Sequence, residues 1–160
     1  MSDMKLKLTG DWNEAGIYFK NLSENLTPAF QAQMQEDGEF ILKTIKDHID
    51  RQDLPWTPLS PKTLELKNGD STIYVDTGTL YDSLSIRKIK STKSGSTFFI
   101  GASPWKRHKP SGAKLSDLMI WLEKGTDKIP PRPLIEPTLN EVRDIIEKHW
   151  EELFKDLVEV

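Results

Sequence analysis

Ser85–Gly101 reads SIRKIKSTKSGSTFFIG, and this stretch decides the fold. Ile86, then Phe98 and Ile100, alternate with polar residues at the period of a strand, and Lys93-Ser94-Gly95 has turn chemistry. The expected element is a β-hairpin, Ser85–Ser91 running out and Ser96–Gly101 returning. Ile89 breaks strict period two and leaves room for a bulge. Long helical patterns lie on both sides of the hairpin. The predicted class is therefore α+β: a small, mostly antiparallel sheet packed against long N-terminal and C-terminal helices.

Working back toward the N-terminus, residues 12–52 read as two helices. The first spans Trp12–Asn25, with Asp11 and Glu14 at capping-box spacing and Trp12, Ala15, Phe19, Leu22 and Leu26 on one face. Thr27-Pro28 is read as a stop and restart, threonine capping and proline at the first helical position. The second then runs to Gln52 as a rod of roughly 37 Å. Phe30, Met34, Ile41, Ile45, His48 and Ile49 form its stripe, and Gly38 weakens it by about 1 kcal/mol relative to alanine. Residues 54–76 are a strap and loop. Three prolines between Leu54 and Pro61 exclude helix or central strand, so Trp56 and Leu59 are expected to pin an extended segment to the core. Ser60-Pro61 starts a short helix over Lys62–Lys67, and Asn68-Gly69 ends it. Asp76-Thr77-Gly78-Thr79 is read as a helix start, with Asp and Thr capping amides ahead of Leu80–Leu84.

Beyond the hairpin, residues 102–114 form a basic loop, followed by a helix over Lys114–Glu123 that Gly125 stops with a left-handed residue. Thr126–Ile129 is expected to add an edge strand, which Pro130-Pro131 blunts. The last helix, Pro137–Val158, has the cleanest period: Leu139, Val142, Ile145, Ile146, His149, Trp150, Leu153 and Leu157.

The 160 residues fit one domain over 1–160, long enough to bury a working core. With 36% hydrophobic and 29% charged residues, the chain is expected to be globular. It has no cysteine, which excludes disulfides and thiolate metal sites. The start, MSDMKLKL, lacks the apolar core of a signal peptide, and no apolar run reaches the roughly 20 residues that span a bilayer. A soluble, non-exported chain without a membrane partner is predicted. The net charge of −3 conceals a split. Ser83–Ser116 has no acid against Arg87, Lys88, Lys90, Lys93, Lys106, Arg107, Lys109 and Lys114, while Leu134–Val160 has three bases against eight acids. Opposed patches suit a subunit whose neighbour is a copy of itself. Two solvated faces, screened within about 8 Å, would show the same pattern.

Catalytic chemistry finds little support. His48 and His149 fall on or beside apolar helix stripes, and His108 has no carboxylate near it in sequence. HExxH, CxxC, calcium-loop and phosphate-cradle patterns are missing, so no catalytic residue, metal ligand or cofactor is assigned. Asp76 near Thr77 and Ser83 fits turn capping better than a nucleophile and base. Trp105-Lys106-Arg107-His108-Lys109 sets an aromatic among cations, as in single-strand nucleic-acid surfaces. A loop that packs its tryptophan and solvates its charges is the plainer reading of the same residues.

Four segments occur in a fixed order. They are Trp56-Thr57-Pro58-Leu59-Ser60 with Thr63 and Lys67; Asp76-Thr77-Gly78-Thr79-Leu80 with Ser83; Ile100-Gly101; and Leu122-Glu123-Lys124-Gly125-Thr126 leading to Ile129-Pro130-Pro131-Arg132-Pro133. Together they resemble the tail completion and neck proteins of tailed bacteriophages, including the virion morphogenesis proteins of Mu-like prophages, over residues 28–150. Two features depart from that pattern. Leu134 stands where many relatives have an aromatic, and the basic insert Trp105–Lys114 replaces a Tyr-Ala and His-Gln pair.

The resemblance implies a structural virion protein, not an enzyme, that completes the tail and joins it to the head. It would form a ring, a hexamer on the virion, with the isolated chain left open between ring and monomer. Partners would be tail-tube and connector proteins, with a weak contact open to the DNA passing the lumen, and the location the virion neck after assembly in the host cytoplasm. Arg87, Lys88, Lys90, Trp105, Lys106, Arg107, Lys109, Lys114, Ile129 and Arg132 are the candidate interface residues, Arg132 offering a planar fork to a partner carboxylate such as Glu141 or Glu152. Trp56, Pro58, Leu59, Asp76, Gly78, Leu80, Gly125, Pro131 and Pro133 would be structural. The rival reading is a nucleic-acid-binding accessory protein using Trp105–Lys114.

Overall fold

The computed structural model describes residues 12–92 and 95–158. The cap expected at Asp11 and the turn residues Lys93 and Ser94 lie outside the described residues, as do the side chains of Trp12, Ala15, Phe19 and Leu22. Five helices and one hairpin follow in the order α1 (Trp12–Arg51), α2 (Pro61–Leu66), α3 (Thr79–Ser83), β1 (Ser85–Thr92), β2 (Gly95–Gly101), α4 (Leu115–Lys124) and α5 (Ile135–Val158). The class is α+β, a two-stranded antiparallel sheet with long helices near both ends.

The break expected at Thr27-Pro28 does not occur, because α1 runs straight through Pro28. A proline inside a helix removes one ladder bond and costs about 3 kcal/mol. Pro28 is exposed, so the lost bond lies on the solvent side. Tertiary packing splints the joint: the Phe30 ring, two residues on, meets Trp150 at 5.6 Å and Phe154 at 5.5 Å, both edge-on from α5. The local stop signal was real, but a long partner helix overrode it.

Gly38 is likewise explained by packing. A Cβ there would overlap the Ile86 Cδ1 methyl and press on its Cγ1 at 3.3 Å. The hairpin lies across α1 at this point, and a larger residue would force the Ile86 side chain aside. Ile86 pairs with Ile100 in the register, Lys88 with Phe98 and Lys90 with Thr97, leaving a bulge at Ile89. That residue is exposed, so the bulge turns the extra apolar side chain outward.

The core gathers Ile45 and Ile49 of α1, Trp56 of the strap, Ile73 and Tyr74, Leu80, Leu84, Ala102, Leu115, Met119 and Leu134. Ser60 caps α2 by accepting the Thr63 amide at 3.2 Å. Thr126–Ile129 is not an edge strand. The two end residues bond each other, Thr126 N to Ile129 O at 2.8 Å and the reverse at 3.2 Å, closing a tight turn on itself. At Gly125 the chain takes φ +75°, and a Cβ would strike Pro131 N at 2.8 Å and Ile129 O at 2.9 Å. Glycine is therefore required there by conformation and by space.

Candidate functional site

Proline-rich backbone carries more acceptors than donors, because each proline contributes a carbonyl and no N–H. Two such segments, 54–61 and 130–133, lie side by side here, and side chains supply the missing donors. Trp56 Nε1 donates to the Pro133 carbonyl at 2.6 Å. The Tyr74 hydroxyl donates to the Arg132 carbonyl at 2.6 Å. Arg132 itself donates from Nε to Thr57 O at 2.8 Å and from Nη2 to Pro58 O at 3.1 Å. Its amide reaches Leu122 O at 2.7 Å. The rings of Trp56 and Tyr74 sit 5.2 Å apart between these bonds. First and last signature segments are thereby clasped into one unit.

Glu123 completes the clasp from α4. Its carboxylate accepts the amides of Leu134 at 2.8 Å, Ile135 at 3.1 Å and Glu136 at 3.2 Å. Pro137 has no amide, and the Thr138 amide already bonds Leu134 O at 3.2 Å. Every donor of the first turn of α5 is therefore satisfied, with a negative charge at the positive end of the helix. This explains why α5 begins at Ile135 rather than at Pro137.

Arg132 was expected to present its guanidinium to a partner. Only 4% exposed, it is spent on the strap carbonyls instead. Burial lowers its pKa from the usual arginine value. Tyr74 was missed altogether. Burial first, then the Glu123 carboxylate, push its phenol well above the ordinary tyrosine range. It also takes φ +69°, a conformation costly for an aromatic residue that the surrounding clasp enforces. The signal that could have found both lay in the proline count: a strap rich in acceptors calls for buried donors.

The basic residues behave differently. Lys88 Nζ donates to Gln31 at 2.7 Å, fastening the hairpin to α1. The Arg87 guanidinium stacks 5.0 Å from the Phe99 ring. Lys90, Lys106, Arg107, Lys109 and Lys114 are exposed, and Trp105 is 83% exposed. Apart from Lys90 on β1, these residues belong to a loop ordered by backbone bonds, Gly112 N to His108 O at 2.7 Å and His108 N to Ala113 O at 2.9 Å. Asp76 does not cap α3, whose N-cap is Gly78 with no side-chain bond. It turns to His108 instead, Oδ2 to Nε2 at 3.1 Å, so the histidine does have a carboxylate, 32 residues away in sequence. Ser111 Oγ lies 2.9 Å from His108 Nδ1. The Ser–His–Asp order resembles a catalytic relay, yet Ser111 Oγ also accepts the Ala113 amide at 3.4 Å and sits at an exposed turn. The arrangement anchors the basic loop beside α3.

Between α2, the strap, α4 and this loop runs an apolar groove of about 550 Å³, walled by Leu59, Ile73, Leu80, Leu118, Trp121 and Ile129, with Leu66 at its edge and Asp76 and His108 on its rim. On the opposite seam, α1 meets α5 through two histidine–carboxylate pairs. His48 is buried, with Nδ1 2.6 Å from Asp53 and Nε2 3.1 Å from Glu141, off the line of a hydrogen bond. His149 Nδ1 lies 2.7 Å from Asp37. The His48 hydrogen bond holds the Asp53 carboxyl below its ordinary range. Both histidines serve the helix interface, and among the described residues no group of three ligands could hold a metal ion. Among those residues, too, no helix is long and apolar enough to cross a membrane.

No family model, curated protein or solved structure matches this chain.

Proposed function

We propose that this protein is a structural subunit of a tailed-phage virion, completing the tail and joining it to the head as part of a ring. The observation that carries the reading is the clasp. Trp56, Gly125, Arg132 and Pro133, the least interchangeable residues of the ordered segments, spend their chemistry on fixing one backbone shape. Tightly shaped backbone beneath charged, exposed loops is what a docking subunit needs. Non-enzymatic action fits the same picture, because the buried polar groups of the clasp bond one another rather than converging on open space.

In this reading the neighbours are further copies of the chain, tail-tube proteins and connector proteins, and the site of action is the neck. The deciding experiment is electron microscopy of particles made without the gene. Heads and tails accumulating apart, and rejoining when purified protein is added, is the expected result; normal particles would reject the proposal. A second reading rests on Trp105, exposed beside Lys106 and Arg107 as a stacking platform beside phosphate-binding cations would be. A salt-dependent gel shift with single-stranded DNA, abolished by Lys106→Gln and Arg107→Gln together, would favour it.

A further inference from the structure

We infer that the apolar groove receives the C-terminal half of α5 from a second copy of the chain, a contact that deepens the ring reading above and rests on it. The groove is bounded on one side by the basic loop, where Lys106, Arg107 and Lys109 are exposed and Ser83–Ser116 contains no acid. Its complement lies on the C-terminal half of α5. Phe154 and Val158, four residues apart on α5, are 50% and 64% exposed, and the exposed acids Glu147 and Glu151 share their side of the helix, with the exposed Lys155 at its margin. A helix offering apolar anchors at i and i+4 beside a pair of acids is a fitting occupant of an apolar groove with a basic border. Leu66 and Trp121, both exposed at the groove, are the residues such anchors would cover.

The contact cannot close within one molecule. α5 starts against α4, where Glu123 caps it and the neighbouring Leu122 and Trp121 wall the groove. From Ile135 to Phe154 the helix advances about 28 Å away from that point. Phe30 of α1 holds the far end, through its edge-on contacts with Trp150 and Phe154. Groove and anchor thus stand at opposite ends of a rigid rod. Such a pairing is heterologous, each copy giving its helix to one neighbour and its groove to the other, and repeats of it close into rings or grow into filaments.

The chain has no cysteine, so the contact can be trapped cleanly. Full-length Leu66→Cys and Phe154→Cys proteins, one labelled with ¹⁵N, are mixed at equal, high concentration and oxidised, and the disulfide-linked pairs are resolved by mass. The mixed pair is expected in about tenfold excess over either like pair, against about twofold for random collision. Reversing the loop charges (Lys106→Glu, Arg107→Glu, Lys109→Glu) in the Leu66→Cys copy should remove that excess. Glu147→Lys with Glu151→Lys in the Phe154→Cys copy should restore it. A mixed pair at the random level, predominant 154–154 pairing, or indifference to the charge exchange would overturn the inference. The outcome also separates the two claims. A dominant mixed pair in a protein whose loss leaves virions intact keeps the contact and rejects the tail role. Rings on virions without the mixed pair reject the contact and keep the ring.

Discussion

The clasp and the basic loop carry similar residue types to opposite ends. Both contain a tryptophan, an arginine and prolines. In the clasp, Trp56 and Arg132 are buried, and the indole N–H and two guanidinium nitrogens donate to carbonyls that proline-rich backbone leaves open. In the loop, Trp105 faces solvent and Arg107 bonds the Gly112 carbonyl of its own turn, at 2.8 Å. Residue type therefore does not separate a shape-making arginine from a partner-seeking one; the acceptor surplus around it does. The difference predicts that stability resides in one region and association in the other.

Arg132→Ala should break that division most visibly. It strips two charge-assisted bonds from buried carbonyls and opens a void, so a loss of about 3–4 kcal/mol in urea unfolding is expected. Arg132→Lys, which cannot reproduce the fork, should recover less than half of it. Glu123→Gln comes next. Removing the charge at the start of α5 should cost about 1–2 kcal/mol and speed amide exchange at Leu134, Ile135 and Glu136, leaving the hairpin amides unchanged.

Tyr74 sharpens the comparison through pH. An unfolded tyrosine releases its proton near pH 10, whereas burial and Glu123 keep the folded phenol protonated above that. The resulting stabilisation is fully present below the unfolded value and is lost as pH rises beyond it. Stability should fall as pH climbs from about 10, and Tyr74→Phe should flatten that fall while costing about 1 kcal/mol at neutral pH. The smallest effect is expected for Trp105→Ala. At an exposed side chain, stability should stay within about 0.5 kcal/mol of the parent, which differential scanning calorimetry would check.

What sequence reading recovered follows the same divide. The hairpin, its bulge at Ile89, α2, α4 and α5 were legible because each announces itself through local period or caps, and the strap because proline forbids alternatives. The errors arose where a distant partner decided. Pro28 has every mark of a helix boundary, but α5 braces α1 through Phe30. Gly38 looked like a weakness until Ile86 was seen to lie on it. Asp76 looked like a cap and is instead the anchor of His108, a pairing that no local spacing encodes. Arg132 was expected to offer its fork to a partner carboxylate; its acceptors are carbonyls some 75 residues earlier in the same chain. In the candidate surfaces, the exposed cations and Trp105 were legible as a basic run. The groove was not, since its walls come from separate segments.

If the signature residues act as one mechanical unit, the costs of changing them are coupled. A double-mutant cycle on Trp56→Phe and Arg132→Ala, read by equilibrium urea unfolding, tests this most directly. Coupling of at least about 1 kcal/mol is predicted, because both side chains hold the same two proline-rich segments together. Additivity within about 0.3 kcal/mol would show two independent contacts and contradict the clasp.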